Sequence, residues 1–262
     1  MATTNAHERL THFRNQVLHI EPSPRWVRGF SGGVPVVDSK EAILVRSTAP
    51  RRGRPTYYFP AEDVRTDLLS PSSTTNNDRH IGDASYFNLK IGDRLIEDAA
   101  WTFGEPFAGE DVERGDAPDL RGFVAFDWGK IDSWFEEGEE VFGHPRDPYK
   151  RIDCIASTRH VKVTLGGEVV AESSRPIILF ETNLKPRYYL PKIDVRLDLL
   201  RDSDTHTVCP YKGTASYYSV EVAGQLYEDY IWYYPQALPE SMPIAGSYVC
   251  FYDEKVDKFE VD

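Results

Sequence analysis

The sequence predicts a mainly β protein made of two homologous antiparallel domains in tandem. An internal repeat indicates the duplication, and glycine pairs between short runs of alternating apolar residues indicate hairpins. Each repeat reads as a hairpin, a strand, one short helical turn and several more strands. This order of elements is typical of antiparallel β proteins.

The repeat is the strongest signal in the chain. Residues 55–101 align with residues 186–232 without a gap, and 20 of the 47 aligned positions are identical. Solenoids need more copies at a shorter period, so the repeat predicts two homologous domains. The likeness extends beyond this block, because 26–38 and 160–172 each read as two strands around a Gly-Gly pair, which supplies the positive φ angles of a tight hairpin.

The domain organisation follows from these alignments. We expect four segments: an N-terminal helical extension (1–25), a diverged first repeat (26–142), a connector (143–157) and a second repeat (158–262). The helix is indicated by the helical spacing of Leu10, Phe13, Val17 and Leu18 behind a possible N-cap at Thr4 or Asn5. Fusion of two repeats favours a monomer with an internal pseudo-twofold axis.

Composition excludes several classes of function. The chain has 262 residues and a net charge of −12, so it lacks the basic excess that nucleic-acid binding requires. No apolar run is long enough to cross a bilayer. The glutamates at 136, 137, 139 and 140 are interpreted as a solvated acidic face.

The cysteines and histidines give no sign of a metal site. Cys154, Cys209 and Cys250 form no Cys-x-x-Cys pair, and the seven histidines form no paired motif. We therefore expect a cytoplasmic, metal-free protein with reduced thiols and no cofactor.

Three motifs in the second repeat carry a family resemblance. They are Tyr188-Tyr189-Leu190-Pro191 with Asp194-Val195, the run from Cys209 to Tyr218 (CPYKGTASYY), and Glu228 through Trp232-Tyr233-Tyr234. In order and spacing they resemble the domain-of-unknown-function 427 family, closely over 160–262 and as a diverged copy over 26–142. The resemblance implies a compact β-tent fold. Many β-tent proteins hold zinc through paired cysteines, which are absent here, whereas some bind small ligands in an aromatic cage.

Aromatic residues of the second repeat are candidates for a ligand pocket. Eleven of the fifteen tyrosines lie between 186 and 262, and buried tyrosines need hydroxyl partners. Tyr188, Tyr211, Tyr217 and Trp232 come from separate motifs, so a small β domain can bring them together around a flat or cationic molecule. The alternative is that these rings form the hydrophobic core.

Four ionisable residues are further candidates. Cys209 is a nucleophile or an inert structural thiol. Lys212 meets an anionic ligand or reacts covalently with a carbonyl group, unless it is a solvated charge at a turn. Glu228 acts as an acid–base group or forms a salt bridge with Arg187 or Arg196. Asp194 is placed with the ligand-binding residues.

The function predicted from these residues is recognition of a small molecule, with or without turnover, in an aromatic pocket of the second repeat. The first alternative is a metal-independent enzyme that uses Cys209 or Lys212 covalently. The second is a structural or protein-interaction module with an exposed aromatic strand. No nucleic-acid or membrane partner is expected.

Overall fold

The structure, a computed structural model, describes residues 13–14, 18–47, 54–78, 81–106 and 118–262. The chain divides into two compact units, Met1–Asp147 and Pro148–Asp262. In the described ranges both units consist of antiparallel strands and short 3-10 turns, which confirms the predicted mainly β fold with two homologous domains. No helix in those ranges is long and apolar enough to span a membrane.

The first unit has two sheets in its described residues. Its strands are β1 (Phe13–Arg14), β2 (Leu18–Pro22), β3 (Val27–Ser31), β4 (Val34–Ser39), β5 (Ile43–Ser47), β6 (Thr56–Pro60), β7 (Leu69–Asp78), β8 (Gly82–Ile91), β9 (Arg94–Pro106), β10 (Phe123–Phe126), β11 (Ser133–Glu136) and β12 (Glu139–Glu140). The large sheet has the order β1-β2-β5-β6-β10-β9-β8-β7, and the small sheet has the order β12-β11-β3-β4.

The second unit repeats this plan. Its strands are β13 (Ile152–Ala156), β14 (Val161–Leu165), β15 (Glu168–Ser173), β16 (Ile177–Glu181), β17 (Arg187–Pro191), β18 (Leu200–Cys209), β19 (Gly213–Val222), β20 (Gln225–Tyr233), β21 (Tyr248–Phe251) and β22 (Lys258–Val261). The large sheet has the order β13-β16-β17-β21-β20-β19-β18, and the small sheet has the order β15-β14-β22. Each strand therefore has an equivalent at the same place in the first unit.

The predicted hairpins and helical turns are present. Gly32-Gly33 joins β3 to β4 and Gly166-Gly167 joins β14 to β15, and all four glycines have positive φ angles of 56–79°. The short helical turn of each repeat is the 3-10 turn Ala61–Asp63 or Lys192–Asp194. It follows four strands rather than the predicted three, and a second 3-10 turn, Thr66–Leu68 or Leu197–Leu199, comes after it.

The predicted N-terminal helix lies largely outside the described residues. Where residues of that segment are described, Phe13–Arg14 and Leu18–Pro22 are strands that pair with each other, and β2 also pairs with β5. Leu18 and Ile20 point into the core from alternate positions. Strands β2 and β13 occupy equivalent positions in the two units. Both strands precede the predicted first residues of the repeats, 26 and 158. The pseudo-twofold arrangement stays a prediction.

The large sheet of each unit is covered on both faces because neighbouring side chains alternate. Leu190 points toward the small sheet and packs with Val161 and Val163, whereas Tyr189 points to the opposite face and packs with Trp232. We call this opposite face, away from the small sheet, the outer face. The fold therefore has one core between the sheets and a second, more aromatic cluster on each outer face.

An aspartate in a left-handed conformation interrupts the long central strand of each unit. Asp98 has φ 49° and Asp229 has φ 54°, and the ladder register shifts beside each of them. Hydroxyl groups stabilise the conformation: Thr205 donates to the Asp229 carboxylate at 2.7 Å, while Ser72 and Thr74 donate to Asp98. The aspartate of the Glu-Asp pair that is common to both repeats therefore lies in a β-bulge.

One predicted surface residue is buried. The interpretation of Glu136 as part of a solvated acidic face is wrong, because only 6% of it is exposed. Its carboxylate accepts hydrogen bonds from Arg25 at 2.6 Å and from the Tyr57 hydroxyl at 3.0 Å. The strand period explains the difference, since alternate residues of β11 point inward.

The cross-strand pair Gly29–Trp134 shows how the two cores compensate for side-chain volume. Trp134 lies opposite Gly29, whereas the equivalent pair in the second unit is Val163–Phe259. A Cβ atom at residue 29 would lie 2.7 Å from Trp134 Cζ3. The Trp134 ring is stacked on Trp128 at 4.3 Å between ring centroids and cannot easily move aside.

We predict that Gly29→Ala destabilises the first unit by about 1–3 kcal/mol, the usual cost of overpacking a tight core. Chemical denaturation followed by tryptophan fluorescence measures the effect. Gly138→Ala is the control, because a Cβ there has no atom within 4 Å, and its effect should stay below about 0.5 kcal/mol. Equal stability of the two variants would contradict the proposed contact.

Candidate functional site

The outer face of the second unit contains an aromatic cavity of about 260 Å³. The β16–β17 connection, the turn before β19, and residues within or directly after strands β16, β17, β19, β20 and β21 contribute to its walls. The cavity is lined by Leu179, Glu181, Leu184, Lys185, Arg187, Tyr189, Lys212, Tyr217, Trp232, Tyr234 and Tyr252. Five aromatic rings and four charged side chains therefore share one small space.

Trp232 is the central ring of the cavity. Its indole Nε1 donates a hydrogen bond to the Tyr189 hydroxyl at 3.0 Å, and the two rings meet edge to face. The Tyr252 ring lies 4.5 Å from the indole, and the Arg187 guanidinium carbon lies 5.2 Å from the indole centroid, a cation–π distance. These contacts fix the indole before any ligand arrives.

Three tyrosine hydroxyls of the cavity, those of Tyr189, Tyr234 and Tyr252, are neutral at physiological pH. Burial raises the pKa of Tyr189 and of Tyr234 well above the ordinary tyrosine value. Burial likewise raises the pKa of Tyr252, with the neighbouring Tyr217 hydroxyl adding to the effect. These side chains can act as hydrogen-bond donors to a ligand but not as anions.

A tight turn positions Lys212. The Cys209 carbonyl accepts from the Lys212 amide, with Pro210 at the second position of the turn, and Gly213 follows with φ 99°. A Cβ at Gly213 would lie 3.2 Å from the Gln236 carbonyl oxygen. Both the positive φ angle and the close backbone contact therefore require glycine at this position. This turn directs the Lys212 side chain toward β16.

Lys212 belongs to a buried ion-pair network. Its Nζ lies 2.5 Å from Glu181 Oε2, and Lys150 Nζ lies 3.1 Å from the other oxygen of the same carboxylate. The side chains of Lys212 and Glu181 are only 13% and 7% exposed. The network holds Lys212 as an ammonium at the cavity wall.

A second ion-pair cluster forms the opposite edge. Arg187 and Lys185 both bind Asp253 and Glu254, at distances from 2.6 to 3.1 Å. Hydrogen bonds from Arg187 chiefly, and from Lys185, lower the pKa of Glu254 far below the usual carboxyl value.

The charges around the cavity do not cancel. The ionised groups that line it or pair with its lining are four cations and three carboxylates: Lys150, Lys185, Arg187 and Lys212 against Glu181, Asp253 and Glu254. One positive charge is left in excess within this set.

The structure brings together three of the residues predicted from sequence, namely Tyr217, Trp232 and Lys212. Cys209 and Tyr211 belong to the same turn as Lys212 but are not part of the cavity lining. Tyr188 lies on the other face of β17, where its ring packs 5.7 Å from that of Phe259.

The two predicted carboxylates lie elsewhere. Asp194 accepts hydrogen bonds from Ser173 and Arg175, and the Arg175 contact lowers the pKa of Asp194. Glu228 is exposed on β20 and forms no ion pair within the described part of the chain. The arginines proposed as its partners bind other acids, Arg187 with Asp253 and Glu254, and Arg196 with Asp198.

Sequence reasoning missed Tyr189, Arg187 and Glu181. The strand register could have found Tyr189. Tyr217 pairs with Trp232, Trp232 pairs with Cys250, and Cys250 pairs with Tyr189, so these side chains point to the same face of the sheet. Glu181 lies outside the ungapped repeat, so no motif marked it.

The first unit has an equivalent cavity of about 270 Å³, which lacks the buried ion pair. Tyr58, Tyr86 and Trp101 replace Tyr189, Tyr217 and Trp232, and the Trp101 Nε1 donates to the Tyr58 hydroxyl at 3.2 Å just as in the second unit. The ion pair is replaced as a pair: Ser47 and Ile81 stand where the second unit has Glu181 and Lys212. Aromatic walls are common to both units, and Arg54 and Asp78 line the cavity of the first, but the buried Lys212–Glu181 pair is specific to the second.

These features define a tandem-duplicated antiparallel β protein with an aromatic cavity on the outer face of each large sheet. The family model described as Domain of unknown function (DUF427) matches residues 19–137 and 153–262. The chain belongs to this family and contains two copies of its domain. No curated protein matches the chain.

The Glu254 cluster should make the second unit sensitive to acid. A carboxyl whose folded-state pKa is depressed stabilises the fold above its unfolded pKa of about 4.3, and the contribution disappears as pH falls below that value. We predict that Glu254→Gln is less stable than the native protein near neutral pH and that the difference shrinks toward pH 3. Urea denaturation across this range measures it.

Glu228→Gln is the matched control, since Glu228 is exposed and outside any described ion pair. Its stability should follow that of the native protein at every pH. A constant difference between Glu254→Gln and the native protein from pH 7 to pH 3 would contradict the assignment.

Proposed function

We propose that the second unit binds a small planar carboxylic acid in its aromatic cavity. The observation that carries the proposal is the near-buried Lys212 ammonium on the wall of a cavity built from tyrosine and tryptophan rings. Rings bind the planar part of a ligand, and cations bind its carboxylate.

The charge balance favours a monoanion. One excess positive charge among the groups around the cavity matches one carboxylate, and Lys212 has three donors, of which Glu181 takes one. The cavity of about 260 Å³ lies just below the range of about 300–1,000 Å³ typical of drug-sized ligands, so a single ring is the appropriate size.

The geometry favours recognition over covalent chemistry. Lys212 is held by an ion pair with Glu181, an arrangement suited to an electrostatic role. Cys209 does not line the cavity, and Glu228 is exposed on β20. The residues that bind the ligand in this proposal are Lys212, Arg187, Tyr217 and Trp232.

Calorimetric titration with benzoate tests the proposal. Benzoate should bind to the native protein, and the double variant Glu181→Ser/Lys212→Ile should weaken binding by about 10- to 100-fold, because a hydrogen bond to a charged group contributes about 1.5–3 kcal/mol. This variant copies the Ser47 and Ile81 side chains that the first unit accommodates at the same places. Lys150 loses its partner Glu181 but is 20% exposed, so water can solvate its charge and the scaffold is expected to fold.

Lys258→Met is the control, since Lys258 is 64% exposed and lies on the small sheet. Its affinity for benzoate should equal that of the native protein. No benzoate binding, or unchanged binding by the double variant, would overturn the proposal. Tighter binding of phenyl phosphate than of benzoate would show that the ligand class is wrong.

A further inference from the structure

The first unit contains a second, larger cavity of about 430 Å³, which we call the tryptophan cleft. Its aromatic walls are Tyr57, Phe59, Tyr86, Trp101, Phe126, Trp128 and Trp134. The 3-10 turn Trp128–Lys130, which follows β10, forms one side of it. It therefore holds three of the five tryptophans of the chain.

Comparison of the two units explains why the tryptophan cleft is open. In the second unit, Arg187 reaches Asp253 and Glu254 across the corresponding region. The aligned residues in the first unit are Thr56 for Arg187 and Gly129 for Glu254. Neither has a long side chain, and Trp128, which is aligned with Asp253, forms a wall of the cleft, so the ion-pair cluster is absent and the space stays open.

The rings around the tryptophan cleft are rigidly placed. Trp128 and Trp134 stack with centroids 4.3 Å apart and planes 11° apart, and Trp134 Nε1 donates to the Trp128 carbonyl at 3.1 Å. Tyr57 packs 6.4 Å from Trp128 on the same side. A planar ligand would meet preformed aromatic surfaces, with little ordering cost.

The charges in the tryptophan cleft balance. Asp98, Asp127, Arg54 and Lys130 line the cleft together with His144, so its described lining has as many carboxylates as lysine and arginine side chains. Lys130 donates to the Glu97 and Asp98 carbonyls, and the Asp127 carboxylate accepts from the Gly129 amide. This balance favours an uncharged ligand, in contrast to the second unit.

Tyr86 provides a hydrogen-bonding group. In the second unit the equivalent hydroxyl of Tyr217 bonds to Thr207 at 2.8 Å. The residue aligned with Thr207 is Asn76, and among the described residues the Tyr86 hydroxyl has no hydrogen-bond partner. A lining hydroxyl without a partner can donate to a ligand carbonyl.

We infer that the tryptophan cleft of the first unit binds an uncharged planar amide or heterocycle, stacked on its tryptophan rings and held by the Tyr86 hydroxyl. The two units then recognise ligands of different charge on one scaffold. The inference is independent of the acid site, because the two sites use different residues and different units.

Fluorine NMR of the whole chain labelled with 5-fluorotryptophan tests it, since the five tryptophans give separate reporters. Resonances are assigned from single Trp→Phe variants. Benzamide, the uncharged analogue of benzoate, should shift Trp101 and Trp128 and leave Trp232 unchanged. Tyr86→Phe should weaken benzamide binding by several fold.

A second variant blocks the tryptophan cleft without touching its rings. Thr56→Arg/Gly129→Glu introduces the ion pair of the second unit, and it should abolish the benzamide shifts of Trp101 and Trp128. Benzamide that shifts none of the tryptophans, or only Trp232, would overturn the inference. Benzoate reports separately through Trp232, so failure of one site is distinguishable from failure of the other.

Discussion

The left-handed aspartate in the long central strand of each unit is the constraint on which both cavities depend. Asp98 and Asp229 lie in a bulge at which the register of the ladder shifts by two residues, three residues before Trp101 and Trp232. Because the shift is of two residues, side chains before and after the bulge keep the same alternation of faces. A bulge of one residue would instead turn the indole into the core between the sheets. The hydroxyl groups that bind the aspartate carboxylate therefore stabilise a bulge whose length keeps the tryptophan on the outer face.

Duplication provides an internal comparison that a single domain lacks. The hydrogen bond from indole to tyrosine hydroxyl survives in both units, at 3.2 and 3.0 Å, so it belongs to the scaffold. The ion pair survives in only one unit, and both of its members are absent from the other. A buried charge without its partner is strongly unfavourable, which explains why the two positions differ together.

The sequence predicts the fold well because the repeat, the glycine pairs and the period-2 patterns are all local signals. It predicts the site less completely. Tyr217, Trp232 and Lys212 stand out in the repeated motifs, but the choice between Tyr188 and Tyr189 depends on strand register. Glu181 reaches Lys212 only through a pairing between distant strands, and no local pattern records that contact. The prediction for Glu136 is wrong because the burial of this residue depends on which face of β11 points inward and on its contact with Arg25, more than a hundred residues away.

The pairs Gly29–Trp134 and Val163–Phe259 also restrict the path by which the two copies diverged. A common ancestor had one occupant at each of these positions, and at least one unit has since changed. Passing between the two pairs through Val with Trp would overfill the core, whereas passing through Gly with Phe leaves only a void. The less costly intermediate between the two pairs therefore combines the smaller strand residue with the smaller ring.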